Sequence, residues 1–295
     1  MPEYIYHLVD VFTEQQFGGN PLAVFPDAAA ISPELMQLIA KELNLSETSF
    51  VLPPEQGGDF RVRFFTPKRE LPLAGHPTVG TADVLHREGI ISAPGSVTFE
   101  EGVGPITVIL GGDGIITMQQ PIPEFGTVVD NRAQIADMLS LQAGDLHPDH
   151  PVQVVSAGVP FLYVPVKTLE TMGRLSLRRD MWDRLHAEMN IPDIFAFTME
   201  TQLPGSTVHS RMFAPSMDIS EDPATGAASG PLGAYLVQRG MVAAARSKAI
   251  ISEQGIEMGR PSLIHIGVTL DDGQIKRVTV GGRSVYMGSG KLVIG

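Results

Sequence analysis

The chain contains two copies of one pattern, and this duplication limits the possible folds more than any other feature. In each copy an Arg-x-Phe-x-Pro segment is followed by a polar turn, a glycine and an apolar helical stretch, at Arg63–Leu85 and at Arg211–Leu236. The two arginines are 148 positions apart (211 − 63), and the helix-ending Gly89 and Gly240 are 151 apart (240 − 89). Loop insertions produce such small differences in spacing. The sequence therefore predicts two domains of the same fold.

Two further blocks repeat in the same order. Gly19–Phe25 matches Gly158–Val164 at a spacing of 139 (158 − 19), and Ile39–Leu45 matches Leu185–Ile191 at 146 (185 − 39). Short apolar stretches outnumber the helical ones, and one helix follows each glycine, which is typical of α+β folds. We expect two pseudo-symmetric domains, each a curved, mostly antiparallel sheet wrapped around a central helix.

The strand-like tail at 283–294 has no counterpart at the end of the first half. We expect it to cross back and complete the sheet of the first domain. The predicted domains are therefore 1–120 plus 283–295 and 121–282.

The composition narrows the class of protein. Of the 295 residues, 43% are hydrophobic and 18% are charged, which is enough for a substantial core. The net charge of −12 and the absence of Lys/Arg clusters disfavour a nucleic-acid partner. With zero cysteines, disulfides and thiol acid/base chemistry are excluded. The N-terminus does not resemble a signal peptide, and no apolar run approaches the roughly 18 residues of a membrane span, so we expect a cytoplasmic protein with no membrane partner.

The second copy carries an acidic turn directly before its helix, and we call residues 222–226 the back elbow. Asp222 and Pro223 are followed by Thr225 and Gly226, where the helix is expected to begin. The first N–H groups of a helix have no partner within the helix, and its dipole favours negative charge there. The back elbow therefore predicts a seat for a carboxylate. Asp222 could transfer a proton at that seat, although Asp before Pro is also common in ordinary turns.

Glu47 and His76 are the candidate acid/base residues of the first copy. Apolar neighbours would raise the pKa of the Glu47 carboxyl, whereas the alternative is a solvated or capping residue. His76 lies in residues 74–78, the front elbow, where the positive helix end should lower the pKa of the imidazole. The alternative is that His76 only caps its helix. Asp193, the counterpart of Glu47 in the second copy, is expected to be structural.

The duplication also predicts how these groups would act together. If a pseudo-twofold axis relates the copies, both helix N-termini point at one cleft, and Glu47 and His76 face Asp222 and Gly226 over an acidic ligand. Carboxylates on opposite walls suit removal of a proton on one side and delivery nearby.

Other kinds of site have little support. No Gly-x-Gly-x-x-Gly lies between a strand and a helix, and no Walker-type phosphate loop occurs, which disfavours nucleotide cofactors. The segment 147–150, His-Pro-Asp-His, could bind a metal but is interpreted as a solvated loop. No serine lies in Gly-x-Ser-x-Gly, so a hydrolase nucleophile is unsupported. We expect no metal and no organic cofactor.

Five motifs together resemble the PhzF-like phenazine-biosynthesis isomerases, which have the diaminopimelate-epimerase-like fold. The motifs are Gly19–Val24, Asn44–Thr48, Arg63-x-Phe65-x-Pro67, Gly75–Gly80 and Glu221–Gly226. They cover almost the whole chain in order. The resemblance implies that Glu47 is the general acid/base, assisted by His76 and Asp222. It also implies that the two elbows hold the substrate, and the binding residues assigned on this basis are Ser46, Gly75, Thr225, Gly226 and Ala227.

The resemblance further implies a reaction and an assembly. The founding activity moves a proton within trans-2,3-dihydro-3-hydroxyanthranilate without a cofactor, and members are commonly homodimers. Racemases of the same fold use paired cysteines, which this chain lacks. Two departures bear on the substrate: Ala227 replaces a hydroxyl residue, and Pro231 falls within the second elbow helix, where an interior proline costs about 3 kcal/mol. We expect an isomerase of a small carboxylated amino or hydroxy acid; the alternative is a catalytically silent acid-binding protein on the same fold.

Overall fold

The computed structural model describes residues 1–294 and divides the chain into two compact units. Unit 1 comprises Met1–Gln120 with the tail from Thr279, and unit 2 comprises Pro121–Val278. The limits at 121 and 283 as boundaries of functional domains stay a prediction.

The elements of unit 1 are β1 (Glu3–Val11), β2 (Asn20–Phe25), α1 (Pro33–Leu43), β3 (Glu47–Leu52), β4 (Phe60–Phe65), β5 (Glu70–Leu71), α2 (His76–Arg87), β6 (Gly95–Glu101), β7 (Gly104–Leu110) and β8 (Ile116–Gln120). Those of unit 2 are β9 (Glu124–Val128), α3 (Arg132–Met138), β10 (Gln153–Ser156), β11 (Pro160–Pro165), α4 (Leu169–Arg174), α5 (Arg179–Met189), β12 (Asp193–Thr198), β13 (Val208–Ala214), β14 (Ile219–Asp222), α6 (Gly226–Gln238), β15 (Ile250–Gln254) and β16 (Ser262–Asp271). β17 (Gln274–Gly282) leads back to unit 1, and the last strand is β18 (Ser284–Val293).

Strand pairing has the same order in both units. In unit 1, β1–β2 is antiparallel, β2–β3 parallel, β3–β4 antiparallel, β4–β6 parallel and β6–β7 antiparallel. In unit 2 the series β10–β11, β11–β12, β12–β13, β13–β15 and β15–β16 repeats that alternation. Two parallel pairs in each unit make the sheets mixed, and the duplication predicted from the sequence is confirmed at the level of topology.

Some residues at equivalent positions of the two units are also the same. α1 and α5 both have 11 residues and end at an asparagine in the left-handed region, Asn44 at φ 51° and Asn190 at φ 52°. Asparagine tolerates this conformation better than most residues, so each stops its helix at the same place. α1 begins at Ser32, whose hydroxyl accepts from the Leu35 N–H, with Pro33 at the first helical position.

The repeated Arg-x-Phe motif makes the same contacts in each unit. Arg63 forms two 2.7 Å hydrogen bonds to Glu70, and Arg211 forms two 2.8 Å hydrogen bonds to Glu221. Each guanidinium also lies 5.1 Å from the ring centroid of the phenylalanine two residues on. In each unit the motif therefore fixes its strand to the turn that lies between that strand and the elbow.

Each unit has one helix that is buried on nearly every side. α2 packs against β1, β2 and β8, and α6 against β16, β10 and β11. A helix of small and apolar residues without a polar face belongs in a core. Space at its surface is scarce: a Cβ on Gly80 would lie 2.6 Å from Leu22 Cδ2, and one on Gly233 would lie 2.5 Å from Ile266 Cγ2.

The C-terminal tail completes the sheet of unit 1, as the sequence predicted. β18 is antiparallel to β1 from Glu3 opposite Val293 to Val11 opposite Ser284, with one bulge between Leu8 and Val9. Within residues 1–294, every helix falls short of the length and hydropathy that crossing a bilayer requires.

Candidate active site

The front elbow lies at the start of α2. Gly75 is its N-cap residue, and no side-chain hydrogen bond caps the helix. Pro77 occupies the first turn, where a missing N–H costs nothing and the fixed φ suits a helix. The front elbow is buried in unit 1, so its polar groups act in a medium of low dielectric.

Glu47 and His76 are brought together by the local fold. Asn44 ends α1 and turns the chain so that Glu47 opens β3 beside Leu22 of β2. Glu47 Oε2 lies 3.2 Å from His76 Nε2, and their side chains are 12% and 4% exposed. Two of the residues predicted to act together are therefore neighbours, with Ser46 and Gly75 adjacent to them in the chain.

Burial lowers the pKa of His76 to about 3, so the imidazole is neutral at physiological pH. The sequence predicted this direction but attributed it to the helix terminus, whereas the cause is removal of the ring from water. A neutral imidazole carries one donor and one acceptor nitrogen and can accept or pass on a proton.

The back elbow is held by a network of hydrogen bonds. The Thr225 hydroxyl donates to Asp222 Oδ2 at 2.5 Å, and the Gln254 amide donates to the Asp222 carbonyl at 2.7 Å and to Thr225 Oγ1 at 3.0 Å. The Thr225 N–H donates in return to Gln254 Oε1 at 3.1 Å. Asp222 and Thr225 are 5% and 7% exposed. Sequence reasoning missed Gln254, because its hydrogen-bond partners lie at least 29 residues away in the chain.

α6 begins at the back elbow with Thr225 as its N-cap residue and again without a side-chain cap. Gly226 is buried and Ala227 half-buried at its first two positions. Pro231 lies inside the helix, which continues to Gln238. A proline has no N–H for the carbonyl four residues earlier, here that of Ala227. The next carbonyl, that of Ala228, accepts a 2.6 Å hydrogen bond from the buried Tyr163 hydroxyl.

Two further sequence-based interpretations concern residues outside the elbows. Asp193 opens β12 as Glu47 opens β3, but it accepts hydrogen bonds from the Ser216 N–H at 3.0 Å and the Ser216 hydroxyl at 2.6 Å. This agrees with a structural role. Among residues 1–294 no group of three or more His, Asp or Glu side chains is arranged to hold a metal ion.

A duplicated α+β fold with two uncapped central helices, one of them beside a carboxylate and a neutral imidazole, defines an epimerase-like class of protein. Residues 9–290 match the model of one family, described as phenazine biosynthesis-like protein. The chain belongs to this family, and the resemblance inferred from its motifs is confirmed.

Individual relatives are similar in sequence to this chain over almost their whole length. The chain is 37% identical over 298 residues to an uncharacterized isomerase from Mesorhizobium japonicum, covering 98% of each. It is 35% identical over 295 residues to the trans-2,3-dihydro-3-hydroxyanthranilate isomerase of Pseudomonas fluorescens, covering 98% of this chain and 99% of the relative. A crystal structure of a PhzF-family protein from Bacillus anthracis superposes with a TM-score of 0.90 at 30% identity, covering 100% of both chains. The predicted fold class is thereby confirmed, and the predicted enzyme class agrees with the names of these relatives.

Proposed function

We propose that the chain is a cofactor-independent isomerase that moves a proton on a small carboxylated amino or hydroxy acid, similar to the Pseudomonas fluorescens isomerase. The observation that carries this proposal is the distance of 3.2 Å between Glu47 Oε2 and His76 Nε2 at the start of an uncapped helix. A carboxylate beside a neutral imidazole provides the two kinds of group that general acid/base catalysis uses.

In this proposal Glu47 removes a proton from a substrate carbon and returns it to the same or a neighbouring carbon. Because the proton is returned, the substrate is neither oxidised nor reduced, and no co-substrate is needed. His76 and Asp222 donate protons to the substrate's amine or hydroxyl group and accept protons from it. The neutral state of His76 supports this role, since it can donate an N–H without carrying a charge of its own.

The substrate carboxylate is assigned to the elbows. Backbone N–H groups at a helix N-terminus, together with the helix dipole, favour an anion. The residues proposed to contribute are Ser46, Gly75, Thr225, Gly226 and Ala227. At Ala227 only the main chain offers a hydrogen bond, so the substrate is expected to differ from that of relatives with a hydroxyl there. A homodimer in the cytoplasm is part of the same proposal, and light scattering after size-exclusion chromatography measures the assembly.

The test is hydrogen exchange between solvent and substrate. Small amino and hydroxy acids are incubated with the protein in deuterated water, and deuterium incorporation is measured by mass spectrometry. We expect Glu47→Gln to lower the exchange rate by at least about a hundredfold, the lower range for loss of a general base, while calorimetry still detects binding. Glu42→Gln, at an exposed position of α1, is the matched control and keeps the rate.

Two results would count against the proposal. A fully active Glu47→Gln variant would remove Glu47 from the mechanism. Binding of an acid without exchange by the unmodified protein would favour the alternative function, a silent binding protein on the same fold.

A further inference from the structure

The two units share a second repeated element that the mechanism above does not use. β6 runs parallel to β4 and ends in Glu100-Glu101, followed by Gly102, and β15 runs parallel to β13 and ends in Glu253-Gln254, followed by Gly255. The tripeptides are 153 positions apart (253 − 100), close to the spacing of the other repeated blocks. Each therefore occupies the same place in its own unit.

The first residue of each tripeptide is a glutamate that accepts hydrogen bonds from backbone N–H groups of a loop. Glu100 accepts hydrogen bonds from the N–H groups of Glu55, Gln56 and Gly58 at 2.6–2.8 Å. Glu253 accepts from the N–H groups of Gln202 and Leu203 at 2.6 and 2.8 Å. In both units this carboxylate fixes the loop between the two antiparallel strands that precede the elbow. Because neighbouring strand residues point to opposite faces, the second residue points the other way.

The glycines of the tripeptides lie against the approach to each elbow. A Cβ on Gly102 would lie 2.7 Å from Pro72 Cα, and one on Gly255 would lie 2.5 Å from the Pro223 carbonyl oxygen. Neither approach leaves room for a side chain. In both units the glycine after the strand therefore packs closely against the segment that leads into the central helix.

The second residue of each tripeptide binds the elbow itself. In unit 2 the Gln254 amide donates to Thr225 Oγ1, whose hydrogen goes to Asp222. In unit 1 Thr78 Oγ1 lies 2.7 Å from Glu101 Oε1 and 2.7 Å from the Ala74 carbonyl oxygen. The Glu101 and Thr78 side chains are both buried.

Counting hydrogens favours the neutral form of Glu101. A threonine hydroxyl has one hydrogen, and the Ala74 carbonyl can only accept. An ionised Glu101 could also only accept, so both oxygens would compete for the one hydrogen. A neutral Glu101 donates to Thr78 Oγ1 and leaves the Thr78 hydrogen for Ala74, so both contacts are satisfied. A carboxylic acid then does in unit 1 what the amide of Gln254 does in unit 2.

We propose that Glu101, as a neutral carboxylic acid, is a positioning residue that holds the front elbow and with it His76, in the role that the Gln254 amide has at the back elbow. This proposal deepens the function proposed above and rests on it for its catalytic readout. Glu101 touches neither the substrate nor the reacting atoms; it acts through Thr78 and the main chain of the residue next to Gly75.

The electrostatic surroundings agree with the neutral form. Burial raises the pKa of Glu101 to about 8, against the opposing hydrogen bonds of Thr78 and Ala74. Of the charged side chains on the neighbouring helix and strands, Arg61 pairs with Glu55, Arg63 with Glu70 and Arg87 with Asp83. His76 is neutral and lies 3.2 Å from Glu47, and Glu100 is bonded to the loop amides. None of them places an unpaired positive charge beside Glu101 that would favour its ionisation.

The catalytic test compares pH profiles of solvent exchange. At pH 9, one unit above its pKa, Glu101 is about 90% ionised, so we expect wild-type exchange to fall about tenfold below its plateau. Glu101→Gln supplies a permanent amide and should keep the plateau rate at both pH 7 and pH 9. Glu101→Ala removes the donor and should lose at least tenfold at pH 7. Glu100→Gln, one residue away on the opposite face, should keep the fall near pH 8.

A second measurement does not depend on activity. The amide signals of Ala74 and Gly75 in a nitrogen-15 spectrum should shift between pH 6 and pH 10 with a midpoint near 8 in the wild type and in Glu100→Gln. They should not shift in Glu101→Gln. If these shifts occur but no substrate exchange is found, the proposed function fails while Glu101 keeps its place at the elbow.

The proposal on Glu101 is overturned by any of three results. The first is an absence of titration at Ala74 and Gly75, and the second is titration that persists in Glu101→Gln. The third is a folded Glu101→Ala variant, with a wild-type circular dichroism spectrum, that exchanges substrate at the wild-type rate.

Discussion

At the scale of single residues, two buried histidines show that the groups around an imidazole set its pKa. Burial lowers the pKa of both rings. At His76 nothing outweighs it, and the pKa falls to about 3. At His209 the carboxylates of Glu253 and Glu257, 2.8 and 2.9 Å from the two ring nitrogens, outweigh it and raise the pKa to about 9. One imidazole is therefore neutral, and the other is a buried cation held between two carboxylates.

The neutral state of His76 makes a prediction about stability against pH. Between pH 6.5 and about 3 the unfolded chain binds a proton at this position and the folded chain does not. The free energy of unfolding therefore falls as the pH drops, by up to about 1.4 kcal/mol per pH unit from this residue. Urea unfolding at pH 7, 5.5 and 4.5 should show the wild type losing stability relative to His76→Gln. An equal loss in both proteins would mean that His76 is protonated in the folded state.

Residue identity alone could not have predicted every residue that holds the elbows. Glu47, His76 and Asp222 were predicted as site residues because each lies in a motif with a helix or strand boundary next to it. Glu101 and Gln254 were not, because Glu-Gly and Gln-Gly are ordinary ends of a strand and their partners lie at least 23 residues away in the chain. The signal that was available is the repeated tripeptide at 100 and 253.

At the scale of elements, the central helices depend on glycines for their close packing. α2 brings Gly80 against Leu22 and Val11, where a Cβ would lie 2.6 and 2.7 Å from their methyl groups. Both neighbours are fully buried and cannot move into solvent. The same arrangement at Gly233 on α6 shows that the close approach belongs to the repeated fold rather than to one helix.

We expect Gly80→Ala to lower the free energy of unfolding by about 1–3 kcal/mol, the usual cost of overpacking a core. The matched control is Gly173→Ala in α4, where an added Cβ meets nothing within 4 Å. There the greater helix propensity of alanine should raise stability by up to about 1 kcal/mol. Urea denaturation measures both changes. If the two substitutions change stability in the same direction, close packing does not govern α2.

The helices were easier to predict than the sheet. α1 followed from Ser32, Pro33 and its apolar spacing, and its end followed from Asn44, because capping is decided within a few residues. The parallel pairs β2–β3 and β4–β6 did not follow from any local pattern. Strand neighbours are set by contacts that are distant in sequence. The expectation of a mostly antiparallel sheet is confirmed, but no local pattern indicated which pairs are parallel.

At the scale of the whole molecule, the first and last strands of the chain depend on each other. β18 covers the full length of β1, so residues from both ends of the sequence form one part of the sheet of unit 1. Unit 2 is built from the continuous stretch Pro121–Val278. Loss of the C-terminal strand should therefore affect unit 1 selectively.

This dependence can be tested by deleting residues from 284 onward. The deletion leaves the N–H and C=O groups on one side of β1 without their strand partner, and an exposed strand edge of this kind promotes aggregation. Far-UV circular dichroism should show loss of strand, and size-exclusion chromatography should show larger species. The single tryptophan, Trp182, is buried in unit 2 and should keep its blue-shifted emission. Val293→Ser, at a half-exposed position on β18, is the control and should behave as the wild type. A monodisperse deletion variant with an unchanged unfolding midpoint would show that β1 does not need its partner.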